Sequence, residues 1–434
     1  MKQLTRLFIP ICLETLFYML SGMVDTLMLS AVGDYAVGAV GTANSYIGIF
    51  IIMFSIISSG MVSVMTQNIG AGRPGVAYQA RQLGLLFNAV AGVLMAVFLF
   101  SGAGAILRMV GIADALYEPA LIYLKIVGGA CILNAVIPIF SSYLRAFGYT
   151  KQPLYATIVG NIANFVMNAV FLFVLHKGVA GVATATVISK ILNLCIVLYF
   201  SHKLISAKNS TERIANKTVL GQIVKVGLPS ACETALYNVA MMLVIRFLNQ
   251  MDAEGLNVTA RSYTATISNF SYCVGAALAQ ANAIMTGWHI GAGELEECDR
   301  GTKRAAFVGV CVAVCMETAI VLGSGFIMPL FTDNPEMTAL VRKLLAIDIV
   351  LEIGRVTNLV FGQALKTSGD AVFPAVIAAV FMFVFAVGGT WLFGISMGLM
   401  AVGAYIGLAS DECVRAVGMV WRWKTGKWRT KKLV

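Results

Sequence analysis

Apolar residues in this chain run on in long blocks, and the polar residues collect in short gaps between them. Crossing a ~30 Å hydrocarbon layer at 1.5 Å per residue takes about 20 residues of helix. The blocks that reach this length are Phe8 to Val32, Val40 to Gln67, Leu83 to Ile106, Ala120 to Leu144, Leu154 to Leu175 and Val179 to Phe200. They are followed by Ile223 to Leu248, Val258 to Met285, Ala305 to Leu330, Leu340 to Leu365, Val372 to Phe393 and Leu399 to Val420. Barrel strands would instead alternate over ~10-residue segments. The expected fold is an all-α integral membrane protein with twelve transmembrane helices in two six-helix bundles.

The chain also repeats itself. Pro10, Glu14, Thr15 and Tyr18 open a stretch that closes on Gln67-Asn68-Ile69-Gly70-Ala71-Gly72. Pro229, Glu233, Thr234 and Tyr237 open a second one, closing on Ile290-Gly291-Ala292-Gly293. Leu144-Arg145 with Gly148 and Pro153 returns as Leu365-Lys366 with Gly369 and Pro374. A register held this long predicts two equivalent halves related by a pseudo-two-fold axis. Six helices per half make them parallel repeats, and such halves usually enclose a path between them. The expected division is an N-terminal bundle at 1–202, a cytoplasmic linker at 203–217, a C-terminal bundle at 218–421 and a basic cytoplasmic tail at 422–434.

Composition supports the membrane assignment: 59% of residues are hydrophobic, 12% are charged, and the mean hydropathy is +0.84. Glu14 interrupts the first apolar run and no small-residue cleavage site precedes its continuation, so that run reads as a retained span rather than a signal peptide. The formal charge of +10 is placed unevenly. Lys2, Arg6, Arg73, Arg81, Arg145, Lys151, Arg300, Lys303, Arg304 and Lys366 fall on the side of the linker, which carries Lys203, Lys208, Arg213 and Lys217. The positive-inside rule then places both termini in the cytoplasm, in a plasma membrane. The basic tail from Arg422 to Lys432 reads as an orientation signal drawn to anionic lipid, and nucleic acid is not an expected partner. The nine cysteines are scattered, and with three histidines they form no disulfide framework or metal motif.

Several stretches resemble the multidrug and toxic compound extrusion (MATE) family of secondary transporters: Val24-Asp25-Thr26, Gln67 to Gly72, Asn161-Ile162-Ala163-Asn164, Gly181 to Thr186, and Leu365 to Asp370 with Pro374. The resemblance covers nearly the whole chain. It implies two six-helix bundles around a central cavity and efflux of drugs or metabolites driven by proton or sodium influx.

Asp25 is the first candidate for the chemistry, because a carboxylate inside an apolar helix costs ~2.5 to 3.5 kcal/mol on insertion scales. Asn168 and Thr186 share its depth, ~10 Å from the outer helix ends at 1.5 Å per residue, and Asn164 lies one turn deeper. One carboxylate, two amides and a hydroxyl suit a proton or sodium. The resemblance implies the same residues, because the family's cation site maps onto Asp25, Asn164, Asn168 and Thr186. Asn168 stands where the family often has Asp, which weakens the case for sodium. Lys190, one turn beyond Thr186, is placed to neutralise Asp25 or to occupy the ion's position. The alternative is a structural polar cluster that binds no ion.

The second half offers Glu233, Glu352 with Arg355, and Asp411 with Arg415, the last two pairs at i,i+3 and i,i+4 spacing. With Asp348 and Glu412 nearby, carboxylates outnumber arginines. The set reads either as an ion-pair network holding the bundle together or as a site of proton exchange. Asn44, Gln67, Tyr237, Asn269, Tyr272 and Gln280 are the expected cavity-lining positions.

The function these features predict is secondary active, alternating-access export of drugs or organic metabolites, cations among them, by antiport with H+ or Na+ and with no other cofactor. The expected partners are a small-molecule substrate and the lipid bilayer, with the chain acting as a monomer. The alternative within the same superfamily is a lipid-linked saccharide flippase, which needs a cationic cavity for phosphates. A membrane hydrolase would need a His-Glu-x-x-His or Gly-x-Ser-x-Gly set, which the sequence lacks, and the duplication fits a carrier better than a channel.

Overall fold

The structure is a computed structural model that describes residues 2–206, 212–252 and 255–434, the side chains of Asp34 and Val110 excepted. The linker expected at 203–217 falls in part outside the described residues, Lys208 included. The helices are α1 (Lys2–Ser30), α2 (Asp34–Gly70), α3 (Pro74–Val110), α4 (Asp114–Tyr123), α5 (Cys131–Ala146), α6 (Lys151–Ala169) and α7 (Gly178–Leu204). The second half contributes α8 (Asn216–Met251), α9 (Leu256–Ala292), α10 (Leu295–Ile327), α11 (Pro335–Thr367), α12 (Val372–Phe381) and α13 (Met400–Lys424).

Every apolar block is helical, and most helices run past it into the polar flanks. The 37 residues of α2, at 1.5 Å each, reach about 55 Å, well beyond a hydrocarbon layer. α4 and α5 together make the fourth span, joined by a π-helical turn at Leu124–Gly128 and bent by 43°. The break falls at Gly129 and Ala130, where the widened turn has loosened the backbone ladder. α6 also ends in a π-helical turn, Val170–Val174, and α12 continues through two, Met382–Val387 and Thr390–Ser396.

Among the described residues, eight helices are individually long and apolar enough to cross a membrane, nine spans if the bent pair counts as one. α9, α11 and α13 fall short: α9 is rich in Ser, Thr, Asn and Gln, and α11 and α13 carry Asp348, Glu352, Arg355, Asp411 and Arg415 at mid-helix. Large apolar side chains such as Leu94, Phe98 and Phe326 face outward. That suits a lipid surround, in which helix association rests on close packing rather than on escape from water.

The chain forms two compact units, Ile9–Gly227 and Met1–Phe8 with Leu228–Val434. The core of the first gathers Leu29, Ile47, Phe54, Leu99, Leu107 and Leu124. Here α2 meets the opening turns of α8 backbone to backbone: a Cβ on Gly60 would lie 2.0 Å from the Ile223 carbonyl oxygen, and one on Gly227 1.8 Å from that of Ile56. In the second unit α11 packs against α9, α10 and α13 around Val244, Leu248, Leu344, Leu345 and Tyr405.

The repeated motifs fold alike. Arg145 Nη2 lies 2.6 Å from Glu14 Oε1, and the matching Lys366 Nζ lies 2.7 Å from Glu233 Oε2. Gly72 and Gly293 end their helices at φ +74° and +78°, and Gly148 and Gly369 turn at +85° and +97°. The left-handed region favours glycine at all four.

Residues 422–430 are folded onto the second unit. Arg422 pairs with Asp370 at 2.7 Å and Arg429 with Glu296 at 2.7 Å, while the rings of Trp423 and Trp428 stack at 4.2 Å.

Candidate functional site

In the first unit, α6 presents Asn161, Asn164 and Asn168 along one face, at i, i+3 and i+7. Asn161 Nδ2 donates to the Phe17 carbonyl at 2.9 Å and holds α6 against α1. Two turns on, Asn168 Nδ2 donates to Asp25 Oδ1 at 2.8 Å and to Asn164 Oδ1 at 3.0 Å. Asn168 is fully buried and its own Oδ1 has no hydrogen-bond partner. Thr186 turns its hydroxyl back to the Val182 carbonyl at 2.9 Å and also meets the Tyr123 hydroxyl, which contacts Asn44 as well.

Lys190 of α7 is bonded to the fourth span. Its ammonium donates to Asn134 Oδ1 at 2.8 Å, which ties α7 to α5, and it stays near enough to Asp25 for the two charges to interact. The structure thus brings Asp25, Asn164, Asn168 and Thr186 together, with Lys190 at the margin. It adds Tyr123 and Asn134, which sequence reasoning missed. Both lie on the fourth span, on either side of its bend, and their partners are on other helices, so no spacing within one helix marks them.

In the second unit the expected pairs form and join. Arg355 bonds Glu352 and lies 3.7 Å from Glu412; Arg415 lies 2.7 Å from Asp411 and 2.9 Å from Glu412. Asn358 donates to Glu412 at 3.0 Å. Glu233 pairs with Lys366 at 2.7 Å and lines one cavity with Arg355, Glu412 and Arg415. Glu317 of α10 is an addition: it, Asp348 and Glu352 bring carboxylate oxygens within 4.8 Å of one another, and all three are buried. Sequence reasoning passed over Glu317 because no charged residue lies three or four positions away on its own helix. The argument that marked Asp25, a lone acid deep in an apolar span, applies equally to it.

Two adjoining cavities of about 230 and 270 Å³ lie in this unit, and both are lined by Tyr237, Tyr272, Arg355 and Glu412. Asn269 lines the larger one. Gln280 is exposed and Asn44 sits beside Tyr123. Gln67 is fully buried near the C-terminal end of α2.

A family model described as MatE matches residues 10–170 and 229–392. An "Uncharacterized transporter YisQ" of Bacillus subtilis is 32% identical over 428 residues, 97% of this chain and 94% of its own length. A "Probable multidrug resistance protein NorM" of Thermotoga maritima is 20% identical over all of this chain and 94% of its own length. A crystal structure of a mutant of the Vibrio cholerae MATE transporter VcmN superposes with a TM-score of 0.89, at 17% identity, covering 99% of this chain and 98% of that one.

Proposed function

Because this chain belongs to the MATE family of transporters, we propose that it exports small organic molecules, cations among them, by antiport against an inward flow of H+ or Na+ that engages Asp25. The protein is a multi-pass membrane transporter and not an enzyme. The observation that carries the proposal is the Asp25 carboxylate inside the apolar span α1, hydrogen-bonded by Asn168 and interacting with the charge of Lys190. A carboxylate so placed is costly to keep ionised in a membrane, and binding a cation relieves that cost. Asn168 supplies a neutral amide beside Asp25 rather than a second carboxylate, which weakens the case for sodium.

Coupling requires that the cation bind the two access states unequally, since equal affinity shifts nothing. The membrane potential contributes a further ~2.3 kcal/mol per charge per 100 mV. The plasma membrane, cytoplasmic termini and a monomeric state complete the reading. A saccharide flippase fits less well: Arg355, Lys366 and Arg415 are each engaged by a carboxylate and leave little positive charge for a phosphate.

The test is dye export from proteoliposomes under separate pH and sodium gradients. Asp25→Asn is expected to reduce gradient-driven export to the leak rate, and undiminished export refutes the assignment. Lys190→Gln is expected to alter the pH dependence of export; an unchanged profile removes it from the mechanism.

A further inference from the structure

We infer that Lys125 and Glu118, on the exposed face of the fourth span, form a headgroup site for a zwitterionic, amine-bearing phospholipid. The Lys125 ammonium takes the phosphate, and the Glu118 carboxylate takes the amine. Neither residue enters the coupling scheme proposed for Asp25.

Lys125 lies inside the apolar block that begins at Ala120, ~7.5 Å from its edge at 1.5 Å per residue. A full charge at such a depth is costly unless something satisfies it. Asp25, Lys190 and Glu14, the other charges within the spans named so far in this unit, are engaged by Asn168, Asn134 and Arg145. Lys125 makes no hydrogen bond, ion pair or ring contact among the described residues. It is exposed, and its surroundings are exposed and apolar. Ile122, one turn before it, is 37% exposed, and Phe100 of α3 is 58% exposed. The Phe100 ring marks the same face, because a Cβ on Gly129, one turn after Lys125, would meet it at 3.2 Å. A charge set in an exposed apolar surface of a membrane protein faces lipid, and a lysine there stretches its stem toward the nearer interface. Lys125 also belongs to the π-helical turn Leu124–Gly128, a distortion that recurs at functional sites.

Glu118 is the second observation. It stands two turns nearer the start of α4, on the face of Lys125, and it too is exposed and without a partner among the described residues. Side chains on a helix lean toward its N-terminus, so Lys125 leans toward Glu118 and the interface. The two charges thus stand in line, the cation deeper and the carboxylate nearer water. A phospholipid with an amine headgroup presents the same order with opposite signs, its phosphate beside the glycerol and its ammonium outermost. A headgroup with net negative charge would meet Glu118 unfavourably, and a choline has no N–H to donate to it. The repeat supplies no structural reason for either charge: at the spacing that carries Arg145 onto Lys366, Lys125 falls on Ala346 and Glu118 on Ala339.

Native mass spectrometry tests this, with the full-length protein delipidated in detergent and titrated with phosphatidylethanolamine, phosphatidylcholine and phosphatidylglycerol of identical acyl chains. Phosphatidylethanolamine is expected to bind most tightly, Lys125→Gln to weaken it about fivefold, and Lys125→Arg to keep it. Glu118→Gln is expected to abolish the preference for ethanolamine over choline and to leave phosphatidylcholine binding unchanged. Both side chains are exposed and unpartnered, so these variants remove no packing contact. Equal binding of the three lipids by the wild-type protein overturns the inference, as does unchanged phosphatidylethanolamine affinity in Lys125→Gln. Tighter binding of phosphatidylglycerol than of phosphatidylethanolamine leaves only a basic contact for acidic lipid and also overturns it. Glycerophosphoethanolamine, the headgroup without its chains, is expected not to compete; competition at the concentration that saturates with lipid shows a water-filled site and overturns the lipid assignment. None of these outcomes touches the export reading, which rests on Asp25.

Discussion

Asp252 sits in the turn before α9 and accepts hydrogen bonds from the backbone amides of Leu256 at 2.8 Å and Asn257 at 3.0 Å, two donors that the helix start leaves open. Desolvation pushes its pKa up, but the bonds from Asn257 and Leu256 outweigh it and hold the carboxyl below the ordinary value. Asp252→Ala is expected to cost about 1 kcal/mol, read as a lowered unfolding temperature in detergent. A depressed pKa gives stability that is present above the unfolded value and lost as pH falls through the folded one. The penalty of the Asp252→Ala substitution should therefore shrink below about pH 4. Single residues were legible in the sequence where their setting is their own helix: Asp25, Asn164 and Asn168 follow from depth and the 3.6-residue period. Tyr123, Asn134 and Glu317 were not, because each has its partners on other helices.

Among the helices, the contact of α2 with α8 is the least tolerant of added volume. Gly227→Ala would push a methyl group onto the Ile56 carbonyl, and backbone cannot swing aside as a side chain can. A loss of roughly 1 to 3 kcal/mol is expected, against almost none for Gly221→Ala on the same helix, where nothing lies within 4 Å. A thermal unfolding comparison of the two variants checks it. The spans themselves could be read from apolar length, since a membrane leaves a backbone few alternatives to helix. Their π-helical turns and the 43° bend could not. Pro119 and Pro138, the prolines of the fourth span, flank the break without coinciding with it, and Gly128-Gly129 was the only local sign.

Across the whole molecule the duplication extends to side-chain partners, with Glu14 on Arg145 in one half and Glu233 on Lys366 in the other. Arg145→Gln and Lys366→Gln should each cost about 2 kcal/mol, between the values for exposed and for fully buried pairs, because both pairs are partly covered. Adding Glu14→Gln or Glu233→Gln should restore part of the loss in its own half only, measured as a double-mutant cycle. The halves part company at the fourth span and its counterpart. α11 is unbroken from Pro335 to Thr367 and carries Asp348 and Glu352 along one rod. The fourth span is jointed, with Tyr123 on one limb and Asn134, the anchor of Lys190, on the other. Flexing at that knuckle would change the spacing between the Tyr123 hydroxyl and the Lys190 ammonium, which both interact with Asp25, and so would carry a bend of the backbone to the carboxylate. The rigid counterpart has no such joint, and two halves copied from one plan are left with different mechanical parts.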